Sequence, residues 1–185
     1  MLKILKNPKT ENYLTLKENI LCNDFSWYYQ STTTYDVQAD DGHENLPFYS
    51  HVLLTRPDTE KDPYCEIRSE KFEFTQNVVH EILSFNKDPF GNGMGRFFFM
   101  RMCINSTFPI EGGNQFCIPH SDHAFPHFNF ICYLTDGHGG GRTFIKDHPP
   151  VSPVEDQCII FTGEHYAELP KKGRRIIIVG TMVTY

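Results

Sequence analysis

The stretch FCIPHSDHAFPHFNFICYLTDGHGGGRTFI, residues 116–145, carries most of what decides the reading of this chain. It opens on His120-Ser121-Asp122 and passes into the apolar run Phe128–Leu134. It then turns through Asp136-Gly137-His138-Gly139-Gly140-Gly141 into Arg142-Thr143-Phe144-Ile145. Residues i and i+2 of a strand face the same side, so His120 and Asp122 at a strand end can reach one metal ion together. A third ligand must come from a neighbouring strand. His165 follows the run Cys158–Phe161 and sits where such a strand would end. Two imidazoles and one carboxylate on one face of an iron leave the remaining positions open for a chelating co-substrate and dioxygen. The chain has nine histidines, so an H-x-D triplet also arises by chance. His123 and His127 crowd the same stretch, and spacing alone does not choose among the histidines there. Their plainer reading is a polar pocket wall or a loop surface.

Outward from this stretch, short apolar runs recur between turn signals. They are Arg96–Ile104, Phe116–His120, Phe128–Leu134, Arg142–Ile145, Cys158–Phe161 and Arg175–Val183. Glu111-Gly112-Gly113-Asn114, Asp136–Gly141, Asp147–Pro153 and Lys171–Gly173 separate them. Strands at such intervals predict an all-β barrel or jelly roll over residues 96–185. Residues 1–95 read differently, as an α/β support. Leu14, Leu16, Ile20 and Leu21 have helical spacing with a stop at Asn23-Asp24, and Phe48–Thr55 reads as a strand. Phe72, Val78, Val79, Ile82 and Leu83 share one helical face, which predicts the main helix over about 70–85. The polar stretch Ser31–Asn45 and the Pro57–Pro63 stretch are candidate lids.

A chain of 185 residues fits a single domain, 1–185. A net charge of -6 argues against a non-specific grip on nucleic acid. No apolar run reaches the roughly 18 residues of a membrane span, and the apolar part of MLKILKNPKT is too short for a signal peptide. A soluble, cytoplasmic protein is expected. The six cysteines form no C-x-x-C pair and are expected to be free thiols in a reducing compartment. Sixteen Phe and nine Tyr against one Trp favour a β-rich fold.

The order of elements is similar to that of the prolyl-4-hydroxylase-like branch of the Fe(II)/2-oxoglutarate-dependent oxygenase superfamily. The family's pattern is H-x-D, a strand ending in Tyr-Leu, GG-x-T-x-F and a Pro-x-x-Gly turn, and this chain sets against it His120 and Asp122, Tyr133-Leu134, Gly140-Gly141-Arg142-Thr143-Phe144 and a turn at Pro153. Phe161, His165 and a basic residue about ten positions later complete it. The likeness spans roughly residues 96–183. It implies a double-stranded β-helix (jelly-roll, cupin-like) core with flanking helices. It also implies a metal triad of His120, Asp122 and His165, with Fe(II), 2-oxoglutarate and dioxygen as cofactor and co-substrates and ascorbate as an optional addition.

The resemblance further implies that Arg175 grips the far carboxylate of 2-oxoglutarate, a task suited to a planar guanidinium. Arg174 is the competitor, and alternation cannot choose because the following run is apolar on both faces. Tyr133 aligns with a tyrosine that contacts the same carboxylate. Arg101 and Asn105, on the strand before H-x-D, are candidate co-substrate or substrate contacts. Asp122 favours hydroxylation, since related halogenases lack this carboxylate. Asp156 stands where the pattern has Gly, Arg142 stands where a Glu is common, and the usual tyrosine on the strand before H-x-D has no clear counterpart. FSWYYQ (25–30) resembles a stretch of small oxygenase-like proteins of marine viruses, which would place the chain in a host cytoplasm.

The expected activity is hydroxylation of a prolyl or other amino-acid residue in a peptide or protein, with a free amino acid as the second choice. Two other classes compete: a cupin-like, non-redox metal- or sugar-binding module, and an interaction protein with a decayed oxygenase fold.

Overall fold

The computed structural model describes residues 1–33, 42–57, 64–91, 93, 95–113, 115–137 and 139–185. The elements run β1 (Leu2–Leu5), α1 (Glu11–Leu21), β2 (Tyr28–Gln30), β3 (Phe48–Leu54), α2 (Phe72–Phe85), β4 (Phe97–Thr107) and β5 (Phe128–Tyr133). After these come β6 (Thr143–Ile145), β7 (Cys158–Phe161), β8 (His165–Ala167) and β9 (Arg175–Thr184). Seven strands form one antiparallel sheet in the order β1-β7-β5-β9-β4-β3-β2. The second layer is the β6-β8 pair, widened by bridges from Phe116 to Glu168, His120 to His165 and Thr143 to Val151. This is the expected mostly-β architecture with two flanking helices and a jelly-roll core.

Strand alternation sorts the large sheet into two buried faces. Phe130, Cys132, Cys158, Ile160, Ile176, Ile178 and Met182 face the helices, where they meet Tyr13, Leu16 and Ile20 of α1 and Val78, Val79, Ile82 and Leu83 of α2. Cys103, Ile131, Tyr133, Ile159, Phe161, Ile177 and Val179 face the β6-β8 layer and its Ile145 and Val151. The sheet is covered on both sides, which is why β9 reads as a continuous apolar run. Burying a side chain such as Ile82 stabilises the fold by about 1.5–3 kcal/mol, so its truncation to Ala is expected to unseat α2.

Thr10 caps α1 by accepting the Tyr13 amide at 3.2 Å. The same helix is latched to the turn at Pro153–Asp156. Tyr13 donates to Asp156 Oδ1 at 2.6 Å, and Lys17 and Lys9 pair with its two oxygens at 2.5 and 2.8 Å. Asp156 has φ +67, so it fills the left-handed position expected of a glycine.

Several expectations need correction. The run Phe116–His120 is no regular strand; it touches its neighbours only through isolated bridges. His165 does not end the Cys158–Phe161 strand. It opens β8, after a turn at Gly163 with φ +100. Strands β1, β2 and β8 were not visible in the sequence, because their residues are mostly exposed or half-buried and form no buried apolar run like those of the equally short β6 and β7. β1 pairs with β7 at one edge while β2 and β3 form the other, so the N-terminal residues contribute to both edges of the sheet. All six cysteines are free, four of them buried. No described helix is long and apolar enough to cross a membrane. Most of the candidate lids, 34–41 and 58–63, lies outside the described residues.

Candidate metal centre and co-substrate cavity

His120 and His165 are fixed opposite each other by a reciprocal backbone bridge. The His120 amide donates to the His165 carbonyl at 3.0 Å and the His165 amide to the His120 carbonyl at 2.9 Å. The rings lie 4.7 Å apart between centroids. Nδ1 of His120 is 2.9 Å from the Ile118 carbonyl, and Nδ1 of His165 is 3.2 Å from that of Gly163. A carbonyl only accepts, so each Nδ1 carries the proton and each Nε2 is left as a lone-pair donor. The Asp122 carboxylate completes the group, with Oδ2 3.6 Å from His165 Nε2. One donor atom from each of the three residues lies within 4.8 Å of the others.

The electrostatics suit a cation. Burial alone would raise the Asp122 carboxyl. The Arg101 guanidinium, then His165, His120 and Arg56, more than reverse this and hold it below the usual carboxylate range. Burial pushes His165 down to about 4, against the upward pull of Asp122. The site therefore offers an anionic carboxylate and a neutral, oriented imidazole at neutral pH, the protonation states that metal binding needs. Two histidines and one carboxylate on adjoining backbone fit a divalent iron with open positions.

A cavity of about 100 Å³ runs from this group into the space between the two layers. Arg175 closes its deep end and is only 2 % exposed. Its Nη2 donates to Thr143 Oγ1 at 2.9 Å, its Nε has no partner, and no described carboxylate lies within ion-pair distance. A buried guanidinium without a counter-ion is costly, and a ligand carboxylate would satisfy it. Ile131, Ile177 and Val179 form apolar walls, and Asn105 lines the cavity while accepting the Ser50 hydroxyl at 2.8 Å.

Arg174 points away from the cavity. It lies over the Trp27 ring at 4.6 Å and donates to Ser106 at 2.8 Å. Tyr133 is fully buried behind the cavity wall. Its hydroxyl is 2.7 Å from Thr143 Oγ1, and the Arg175 guanidinium lies over its ring at 5.3 Å. Tyr133 thus stands behind Thr143 and Arg175 and is not among the residues that line the cavity. Arg101 faces the cavity and donates to Asp122. Arg142 is engaged outside it, by Glu168 at 2.7 Å. His123 and His127 form a polar wall beside the triad; His123 Nε2 is 2.7 Å from Thr181 Oγ1, and the two rings are 4.8 Å apart.

Sequence reasoning missed three participants. Thr143 was quoted as part of GG-x-T-x-F without a role, although a hydroxyl at that fixed offset was a usable signal. Arg56 gave no signal, because its contact with Asp122 depends on where β3 ends. Asn129 is 1 % exposed with neither side-chain amide atom hydrogen-bonded, and it pairs in register with Thr181. Alternation from Ile131 could have placed it on the cavity face.

Solved structures with this fold share its architecture at low sequence identity. A 2OG-Fe(II) oxygenase family oxidoreductase from Burkholderia pseudomallei is 14% identical with a TM-score of 0.65, covering 93% of this chain and 79% of that one. A prolyl hydroxylase from Trichoplax adhaerens, solved with a hypoxia inducible factor oxygen degradation domain peptide fragment, is 13% identical with a TM-score of 0.55. That match covers 100% of this chain and 83% of the other. The non-heme alpha ketoglutarate dependent epimerase SnoN from nogalamycin biosynthesis is 12% identical with a TM-score of 0.57, covering 98% and 77%. No family model and no curated protein matches the sequence. The likeness establishes a fold that these oxygenases share.

Proposed function

We propose that this chain is an Fe(II)- and 2-oxoglutarate-dependent dioxygenase that hydroxylates an amino-acid residue, a prolyl residue first among them, in a peptide or protein. The observation that carries the reading is Arg175, a buried guanidinium without a counter-ion among the described residues, at the deep end of a cavity whose mouth holds His120, Asp122 and His165. A non-redox metal- or sugar-binding module has no use for that charge. The two ends of the cavity match a co-substrate with a chelating keto-acid at one end and a carboxylate at the other.

In this reading His120 and His165 would hold the iron through Nε2 and Asp122 through its carboxylate. When bound, iron supplies the activation of dioxygen that splits 2-oxoglutarate into succinate and CO2, placing one oxygen atom in succinate and the other in a substrate C–H bond. The chain does the positioning. Arg175 and Thr143 bind and orient the far carboxylate, with Tyr133 holding Thr143 in place. Ile131, Ile177 and Val179 keep water from the cavity. The Ile118 and Gly163 carbonyls hold the imidazole protons on Nδ1, so Nε2 is the nitrogen that each ring presents to a metal.

The Trichoplax prolyl hydroxylase, solved with a peptide, supports a peptide or protein substrate. The epimerase SnoN shares the fold, so the reaction type is argued from the site and not from the fold. Free cysteines throughout support a reducing, cytoplasmic setting. The test is incubation of the iron-loaded protein with 2-oxoglutarate and proline-containing peptide libraries, reading peptide mass and succinate together. Peptides heavier by one oxygen, in step with succinate, are expected. Succinate formed only with free amino acids would move the substrate to the second choice, and no 2-oxoglutarate turnover with any substrate would overturn the reading.

A further inference from the structure

The carboxylate of Asp122 is divided between two environments. Oδ2 lies toward His165 Nε2, at 3.6 Å. Oδ1 receives Arg101 Nη1 at 2.7 Å and Arg56 Nη2 at 3.0 Å. The Asp122 side chain is 3 % exposed, that of Arg101 21 % and that of Arg56 47 %. One buried oxygen thus holds two cations, and neither guanidinium makes another hydrogen bond or ion pair among the described residues.

Two irregularities in the sheet bring these arginines together. Along β4, Phe99 pairs with Met182 and Arg101 with Thr181, so one extra residue, Met100, is inserted opposite β9. Phe99 lies in the helix-side core, and regular alternation would put Arg101 there as well. The bulge turns Arg101 to the other face, alongside Cys103 and Asn105 and toward the triad. A second shift, between Val52 and Leu54 of β3, lies against the same part of β4 and leads to Arg56. A bulge that places a charged side chain in a buried site is a built feature of the fold.

We infer that Arg101 and Arg56 are positioning residues for the metal-binding carboxylate: together they occupy Oδ1 of Asp122 and commit Oδ2 alone to the metal. A carboxylate free at both oxygens can close on a metal as a chelate and take a position the co-substrate or dioxygen needs. With Oδ1 engaged twice, Asp122 is a one-oxygen ligand, and partners behind a ligand set its orientation in this way. Arg101, on the strand and mostly buried, is the fixed member. Arg56, half exposed beyond the end of β3, is the reinforcing one.

This inference rests on the metal reading above. The test loads wild type, Arg101→Met, Arg101→Lys and Arg56→Met with Co(II) in the absence of substrate and records the visible spectrum, whose intensity falls as coordination number rises. Arg101→Met is expected to lose roughly half of the wild-type absorptivity, Arg56→Met to lose less, and Arg101→Lys to recover most of it through its single cation. A folded Arg101→Met protein with the wild-type spectrum overturns the inference. If Arg101→Met does not fold, Arg56→Met on its half-exposed arm carries the test, and an unchanged spectrum there overturns the two-arginine arrangement. A wild type that takes up no Co(II) removes the metal reading itself, and the inference falls with it. A purely structural role for the arginines would move stability and leave the spectrum of the folded variants alone.

Discussion

Thr143 and Arg175 join the two layers of the fold at the deep end of the cavity, with Arg175 Nη2 donating to Thr143 Oγ1 at 2.9 Å. Thr143 is the first residue of β6 and Arg175 the first of β9, so one hydrogen bond ties the small sheet to the large one where the co-substrate carboxylate is proposed to sit. Function and stability pull in opposite directions here, because the guanidinium has no counter-ion among the described residues. Arg175→Met keeps the length and the apolar stem and removes the charge. It is expected to be neutral or stabilising by up to about 2 kcal/mol in the ligand-free protein. Its affinity for 2-oxoglutarate is expected to fall roughly a hundredfold. Thermal unfolding and calorimetric titration check both halves.

Tyr133 stands behind Thr143, so Tyr133→Phe separates support from direct contact. Loss of the hydrogen bond at 2.7 Å should cost about 1 kcal/mol of stability. Affinity for 2-oxoglutarate should fall by less than about tenfold, since Thr143 and Arg175 remain. A loss as large as that of Arg175→Met would instead place the Tyr133 hydroxyl on the co-substrate.

Gly141 has φ +72, and a Cβ there would stand 2.9 Å from Arg175 Cδ. Gly141→Ala therefore strains the backbone by about 1–2 kcal/mol and displaces Arg175. Gly139 has φ +85 but has only Lys171 Cδ nearby, at 3.8 Å. Both alanine variants should lose stability, and only Gly141→Ala should also lose 2-oxoglutarate binding, by roughly tenfold or more.

Asp156 carries the pH dependence of the latch on α1. Burial opposes its ionisation, but hydrogen bonds from Lys17, Lys9 and Tyr13 hold its carboxyl down at about 2, against an ordinary value of 3.8. A depressed carboxyl contributes stability that is fully present above the unfolded value and is lost as pH falls through the folded one. Asp156→Asn, which keeps the left-handed turn, should lower stability at pH 7 by about 1–3 kcal/mol. The gap to wild type should close between about pH 4 and pH 2. Urea unfolding at a series of pH values measures it, and a gap that persists at pH 2 would remove charge as its source.

What the sequence disclosed was carried by fixed offsets. His120 and Asp122 two apart and Arg175 ten after His165 are local patterns, and the fold brings them to one cavity. The helices were legible for a similar reason, since Val78, Val79, Ile82 and Leu83 mark one face. What stayed hidden depended on long-range pairing. Period-two alternation cannot show the inserted Met100 that turns Arg101 inward, nor a contact between Arg56 and Asp122 across 66 positions. The strand β8 is three residues long, with His165 and Tyr166 carrying no run of apolar neighbours. Tyr133 shares a face with Ile131, but its distance from the cavity depends on Thr143 arriving from the other layer, which no local pattern shows.

The most direct test of the account is the weak visible charge-transfer band that forms when 2-oxoglutarate is added anaerobically to the Fe(II)-loaded protein, recorded for wild type and Arg175→Ala. The account predicts a band in wild type, saturating at one equivalent, and a strongly weakened one in the variant. A wild type that binds iron but shows neither the band nor any affinity for 2-oxoglutarate would contradict the oxygenase reading and leave a metal-binding module on the same fold.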